Sequence, residues 1–235
     1  MKNLYKLSIF FLILLLCACN TVKREPVHEL TVSLTSPNVS IGEIEMQFDT
    51  SFMGIGGLKR ESVTAFYYPR EDAVCLQYRQ NHFTYNQFWD RSSRLTFIKA
   101  LHDYNIDYDA RNLSRSERRA EKKYGTVRGF LIWQQYAFTL QARGNLDMEL
   151  GYYFKNRAPY FAITQNGAEY IDEMARDNDR TSQIIIMYFT RAQAAELAAI
   201  FDPLFLTQFG SLQETGSLNF FEPHIDNHIP ADEWD

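Results

Sequence analysis

The chain has 235 residues, enough for one domain with a substantial core. Its 24 basic and 29 acidic residues give a net charge of −5, a poor balance for gripping nucleic acid, whose binding rests on phosphate neutralisation. Aromatic residues make up 15% and suit a pleated surface, so a sheet-rich body is expected.

Lys2 and Lys6 lead into an apolar run, Leu7 to Leu16, and Leu16-Cys17-Ala18-Cys19 follows. A basic start, a short apolar core and small residues at its end are the parts of an export signal. The run is about half as long as the roughly 20 residues a membrane-crossing helix needs. These residues resemble the leader of a bacterial lipoprotein precursor, with Leu at the third position before the modified cysteine and a small residue directly before it. The resemblance covers Met1 to Cys19, and no family is recognised for the mature body. It implies cleavage before Cys19, lipidation of the Cys19 sulfur by diacylglyceryl (often with an amide-linked palmitate-like third chain), and attachment to a membrane of the cell envelope. Asn20 stands where an Asp would favour the inner membrane, so the outer membrane is favoured. Burial gives about 0.8 kcal/mol per methylene, so two or three chains hold a protein without help from its own residues. Loss of Lys2 and Lys6 takes the charge from −5 to −7. Cys75 is then the sole free thiol, so no internal disulfide can form. Its run, Ala73-Val74-Cys75-Leu76-Gln77-Tyr78, reads as a strand with a small buried cysteine.

Residues 19–29 are polar and aperiodic, a lipidated tether. Leu30 to Leu34 and Ile44 to Phe48 alternate apolar and polar residues, and Ser36-Pro37-Asn38 between them predicts a hairpin. Phe52-Met53-Gly54-Ile55-Gly56-Gly57 is a turn, since a phosphate loop needs a glycine-lysine-hydroxyl ending and a following helix. Ser62 to Tyr68 and Ala73 to Phe83 form a second hairpin about Pro69-Arg70-Glu71-Asp72. Thr84-Tyr85-Asn86-Gln87 has the pattern of a capping box and predicts a helix to about Asp103, with Phe88, Leu95, Ile98 and Leu101 inward. Ser114-Arg115-Ser116-Glu117 predicts a short helix to about Tyr124. Arg111 to Lys123 carries six basic and two acidic residues. It reads either as a solvated helix or as a face for anionic lipid headgroups or an acidic partner. Alternating runs on either side of Gly144-Asn145 predict a tight hairpin, flanked by strands at Thr126 to Trp133 and Pro159 to Gln165, a four-stranded meander. Gln183 to Phe189 is a buried strand. Thr190-Arg191-Ala192-Gln193 caps a helix from Arg191 to Phe201, ended by Asp202-Pro203. Residues 211–235 form an acidic tail without periodicity, expected to be poorly ordered.

Candidate chemistry is sparse. Asp177-Asn178-Asp179 departs from a calcium loop at its fifth, sixth and twelfth positions. His224 and His228 stand four apart near Glu222, Asp226 and Asp232, but Pro223 and Pro230 leave no helix to align them, so no metal site is assigned. His82 and His102 read as half-buried structural residues, and Asp147 and Glu149 as facing away from the core. Asp107 with Asp109 is a loop pair. Tyr152, Tyr153, Tyr160 and Phe161 are strand residues that, on one face, would present an aromatic platform to a glycan or peptide.

The expected fold is α+β: a largely antiparallel sheet of eight or nine strands, sandwich-like or an incomplete barrel, with two main covering helices in a single domain over 30–210. Residues 1–18 are the signal peptide. The expected function is that of a lipid-anchored, non-enzymatic envelope protein binding a protein or glycan partner, without cofactor, metal or nucleic acid. The alternative is an envelope hydrolase acting on cell-wall glycan or peptide.

Overall fold

A computed structural model describes residues 34–49, 57–135, 141–168 and 181–210. Eight strands follow one another: β1 (Val39–Asp49), β2 (Leu58–Tyr68), β3 (Ala73–Gln80), β4 (Phe83–Trp89), β5 (Gly125–Gln135), β6 (Gln141–Lys155), β7 (Ala158–Gln165) and β8 (Ile185–Phe189). Each pairs antiparallel with the next, and β8 returns to β1 with Gln47 opposite Tyr188 and Phe48 opposite Met187. The mostly-sheet α+β class holds, but the sheet closes into a barrel rather than forming a sandwich or an incomplete barrel. Closure follows from the pleat. Met46, Val63, Leu76, Tyr85, Leu131, Met148, Ile163 and Met187 share the buried core, and eight strands enclose a space that such side chains fill. The outward positions carry Glu43, Glu45, Arg128 and Asp147. A barrel embedded in lipid needs the opposite arrangement, an apolar belt outside. Among the described residues no helix is long and apolar enough to cross a membrane.

Helix α1 (Arg91–Asp109) follows β4; α2 (Arg191–Phe201) and α3 (Pro203–Gly210) follow β8. The capping box at Thr190 forms as expected, with Gln193 reaching back to the Thr190 amide at 3.0 Å. Asp202 ends α2, and Pro203, free of the need to donate, opens a third helix that the sequence reading did not include. The two main helices close one mouth of the barrel. Phe97 of α1 meets Trp89 and Phe161 edge-on at 5.9 and 5.5 Å, and Phe201 of α2 lies 5.0 Å from Trp89. Buried Arg94 ties α1 to the β2–β3 turn, donating to the Asp72 carbonyl at 2.5 Å and to Asp72 Oδ1 at 2.6 Å.

Several sequence expectations are corrected. Thr84 does not open a helix: residues 83–89 are β4, entered through Asn81 and His82 at φ 48° and 67°, the paired positive φ of a tight hairpin. Tyr85, Gln87 and Trp89 thereby point inward at period two. The helix starts after Asp90, whose Oδ1 accepts from the Ser93 amide at 2.7 Å. Its inward face is Phe97, Ala100, Leu101 and Tyr104, and Leu95 is 46% exposed. Gly144-Asn145 is not a turn, because the apolar positions on both sides are all even-numbered and the alternation runs through. Gly144 lies opposite Leu131 in one long β6, so three strands stand where a four-stranded meander was expected. Ser114 to Tyr124 forms turns and a 3-10 turn at Ala120–Lys122 instead of an α-helix, interrupted by Arg119 at φ 68°. Its hold is tertiary: Ala120 and Glu121 press on Gly151, where a Cβ would fall 2.0 Å from the Ala120 oxygen. β1 pairs with β2 and β8; of its expected partner, Leu30 to Ser33 lie outside the described residues and Leu34 is in a turn. β8 begins at Ile185, leaving Ile184 69% exposed.

The barrel interior is not wholly apolar. Gln165 Oε1 accepts from the Tyr78 hydroxyl at 2.5 Å and from Gln87 Nε2 at 2.9 Å. Gln87 Oε1 in turn accepts from Trp89 Nε1 at 2.9 Å. The buried Tyr85 hydroxyl has no hydrogen-bond partner among the described residues.

Candidate functional site

The end of α1 and the hairpin joining β6 to β7 enclose a groove of about 500 Å³ lined by Tyr108, Asp109, Arg111, Leu113, Phe154 and Pro159. The two elements are stitched together by Tyr104, whose hydroxyl donates to the Pro159 carbonyl at 3.2 Å. Guanidinium groups cover its aromatic walls: Arg115 lies 5.1 Å above Phe154, and Arg191 lies 4.7 Å above Tyr108. Such stacking leaves the edge donors of arginine free for an anion. The two guanidiniums differ in one respect. Arg191 already holds Asp109 through two bonds of 2.8 and 3.4 Å, whereas Arg115 faces no carboxylate among the described residues.

Beside the groove, acidic side chains are drawn into a network that fastens residues 111–124 to the barrel. Lys123 Nζ lies 3.1 Å from Asp107 and 3.2 Å from Glu117. Tyr124 donates to Asp107 at 3.0 Å, and Tyr152 donates to Glu117. Burial alone would raise the Asp107 pKa, but the hydrogen bonds from Lys123 and Tyr124 and the lysine charge hold it below the usual carboxylate value. Burial alone would lower the Lys123 pKa, and its two carboxylate partners raise it instead. Burial, then Asp107, pushes the Tyr124 phenol up. With Asp107 and Glu117 occupied in this way, Arg111, Arg115, Arg118 and Arg119 are exposed with no carboxylate partner among the described residues. Arg157, in the β6–β7 turn at φ 72°, joins them.

The expected aromatic platform divides. Tyr152 and Phe161 pair and point into the core, while Tyr153 and Tyr160 pair on the other face. His82 and His102 are exposed rather than half-buried. Cys75, opposite Phe88, is 1% exposed, and burial pushes its thiol well up, so it is structural. Asp147 and Glu149 face away from the core as expected, pairing with Arg128 at 3.3 Å and Lys122 at 3.6 Å. Asp107 and Asp109 separate, one into the lysine network and one into the groove. Cys19, residues Asp177 to Asp179, His224 and His228 lie outside the described residues. Among the described residues no three metal-ligating side chains cluster. The sequence reading found the basic run but missed Phe154, Arg157 and Arg191. The Asn156-Arg157 turn signal was available, whereas the stacking of arginines on distant rings has no local signature.

The family described as "Uncharacterised Treponema protein" matches residues 25–208. No curated protein and no solved structure matches the chain. With most of its length covered, the chain belongs to that family.

Proposed function

We propose that this family member is a lipid-anchored, non-enzymatic protein of the cell envelope, tethered through Cys19 and binding an anionic envelope component with its arginine-lined groove. The observation that carries the binding reading is the pairing of exposed guanidiniums with aromatic walls, Arg115 at 5.1 Å from Phe154, while neighbouring carboxylates are turned inward onto Lys123. The tether is supported by Leu16-Cys17-Ala18-Cys19, and Asn20 favours the outer membrane. Asp109, the one carboxylate among the described residues that line the groove, is engaged by Arg191, an arrangement that suits fixing a shape more than shuttling protons. Metabolic labelling with a fatty acid tests the anchor: the parent chain is expected to take label and Cys19→Ala to take none. Label retained by Cys19→Ala overturns the proposal.

A further inference from the structure

We infer that the helix-covered end of the barrel is a membrane-docking face that rests on anionic phospholipid headgroups; this rests on the anchoring at Cys19 proposed above. Three independent features meet at that end. The first is the chain's point of entry. Val39 opens β1 opposite Tyr67, beside the turn that Arg94 of α1 holds, and a Cβ on Gly42 would lie 3.9 Å from Ile200 of α2. β1 therefore starts at the helix-covered end of the barrel, not at the opposite mouth. The second is charge. Arg111 lines the groove, Arg115 stacks on its Phe154 wall, Arg157 stands in the adjoining β6–β7 turn, and exposed Arg118 and Arg119 follow Arg115 in the chain. The planar fork of arginine matches phosphate oxygens. The body as a whole is acidic, so a local row of arginines supplies the attraction to an anionic surface that the net charge does not.

The third feature is apolar. The exposed large hydrophobic residues among those described are Leu95, Ile106, Ile184 and Leu204. Three of them lie on α1 and α3, over the covered mouth, and only Ile184 lies at the other end. Exposed aliphatic side chains together with arginines are the composition of a surface that enters the headgroup layer. A soluble acidic partner would account for the arginines but gives no role to Leu95, Ile106 and Leu204.

The test uses the chain from Asn20 onward, which keeps every described strand and helix and lacks Cys17 and Cys19. It is mixed with vesicles of phosphatidylcholine alone or of phosphatidylcholine with phosphatidylglycerol. Binding is expected to the anionic vesicles only and to weaken with salt. A basic side chain near such a surface changes binding by about fivefold, so Arg111→Gln/Arg115→Gln/Arg157→Gln is expected to lose roughly a hundredfold at low salt. Lys59→Gln, at the opposite mouth, is expected to bind as the parent does. Equal binding to both vesicle types, or a triple variant that binds as the parent, overturns the inference. Capture of soluble polyglutamate without any vesicle binding overturns it in favour of an acidic macromolecule. Orientation gives a second readout. Because Cys75 is buried, a fluorophore can be placed on Ile106→Cys or on Ile184→Cys alone. Lipid-borne nitroxide is expected to quench the first and spare the second, and the reverse order refutes the docking face. Loss of fatty-acid label in none of the Cys19 variants would count against the anchor while leaving these vesicle results readable.

Discussion

Replacing Gln165 by Met tests whether the polar centre of the barrel stabilises the fold. Gln165 Oε1 is the shared acceptor for the Tyr78 hydroxyl at 2.5 Å and Gln87 Nε2 at 2.9 Å. All three residues are at most 2% exposed, so no bulk water replaces a lost acceptor. Methionine keeps the length and apolar volume but accepts poorly, leaving two buried donors unsatisfied. Each orphaned donor costs about 1–3 kcal/mol, so the variant is expected to lose about 2–6 kcal/mol out of a total that for most proteins is about 5–15 kcal/mol. For a chain of this size each kcal/mol moves the midpoint by about 2–4 °C. Thermal unfolding followed by circular dichroism is therefore expected to fall by roughly 5–20 °C. Adding Tyr78→Phe removes one of the two orphans, so the double variant is expected to melt above the single one. Added to the parent, the same change should cost only about 1 kcal/mol. A Gln165→Met protein that melts within about 2 °C of the parent refutes this account of the core, as does a Tyr78→Phe change equally harmful in both backgrounds.

Further outcomes follow from neighbouring geometry. Gly151→Ala puts a methyl group 2.0 Å from the Ala120 oxygen, so it is expected to lift residues 111–124 from β6, costing about 1–3 kcal/mol and speeding proteolysis within that segment; unchanged cleavage rates contradict it. Tyr85→Phe deletes a buried hydroxyl without a partner and is expected to be neutral or to raise the melting temperature, whereas a drop of several degrees would show that the hydroxyl is satisfied. The Asp107–Lys123 pair gives a pH window. The lowered Asp107 pKa means its contribution is complete above the usual carboxylate value, near pH 4, and is lost as pH falls through the lower folded value. The raised Lys123 pKa means its contribution is complete below the usual lysine value, near 10.4, and is lost as pH rises through the higher one. Amide exchange at Tyr124 is expected to be slow between these limits and to quicken beyond both, and Lys123→Met is expected to move the Asp107 titration upward.

The elements that could be read from the sequence are those specified locally. Thr190 and Gln193 sit three apart and cap each other, so α2 is visible in four letters. The pre-proline restriction at Asp202 marks its end. β4 was misread because Thr84-Tyr85-Asn86-Gln87 has the letters of a capping box, while what decides its conformation is pairing with β3 and β5, more than forty residues away in the case of β5. Gly144-Asn145 misled for a related reason: its turn propensity yields to two long ladders that gain more by running through it. Closure itself has no sequence signature, since it depends on Gln47 and Phe48 meeting Tyr188 and Met187. The groove shows the same division. Its charges were visible as a basic run, but the rings beneath Arg115 and Arg191 come from strands and helices that only the fold brings together.

The β1–β8 ladder has two register pairs, against ten between β1 and β2. Every other junction joins strands consecutive in the chain, the longest connection running from β4 through α1 to β5. This one must wait for segments about 140 residues apart to find each other, a late step in assembly. It is also the line along which the structure opens most cheaply, held from outside by Gln47 on Gln193 at 3.0 Å and by Lys155 reaching Asp49. The wall thus has a built-in seam, and partial opening under load or mild denaturant should begin there.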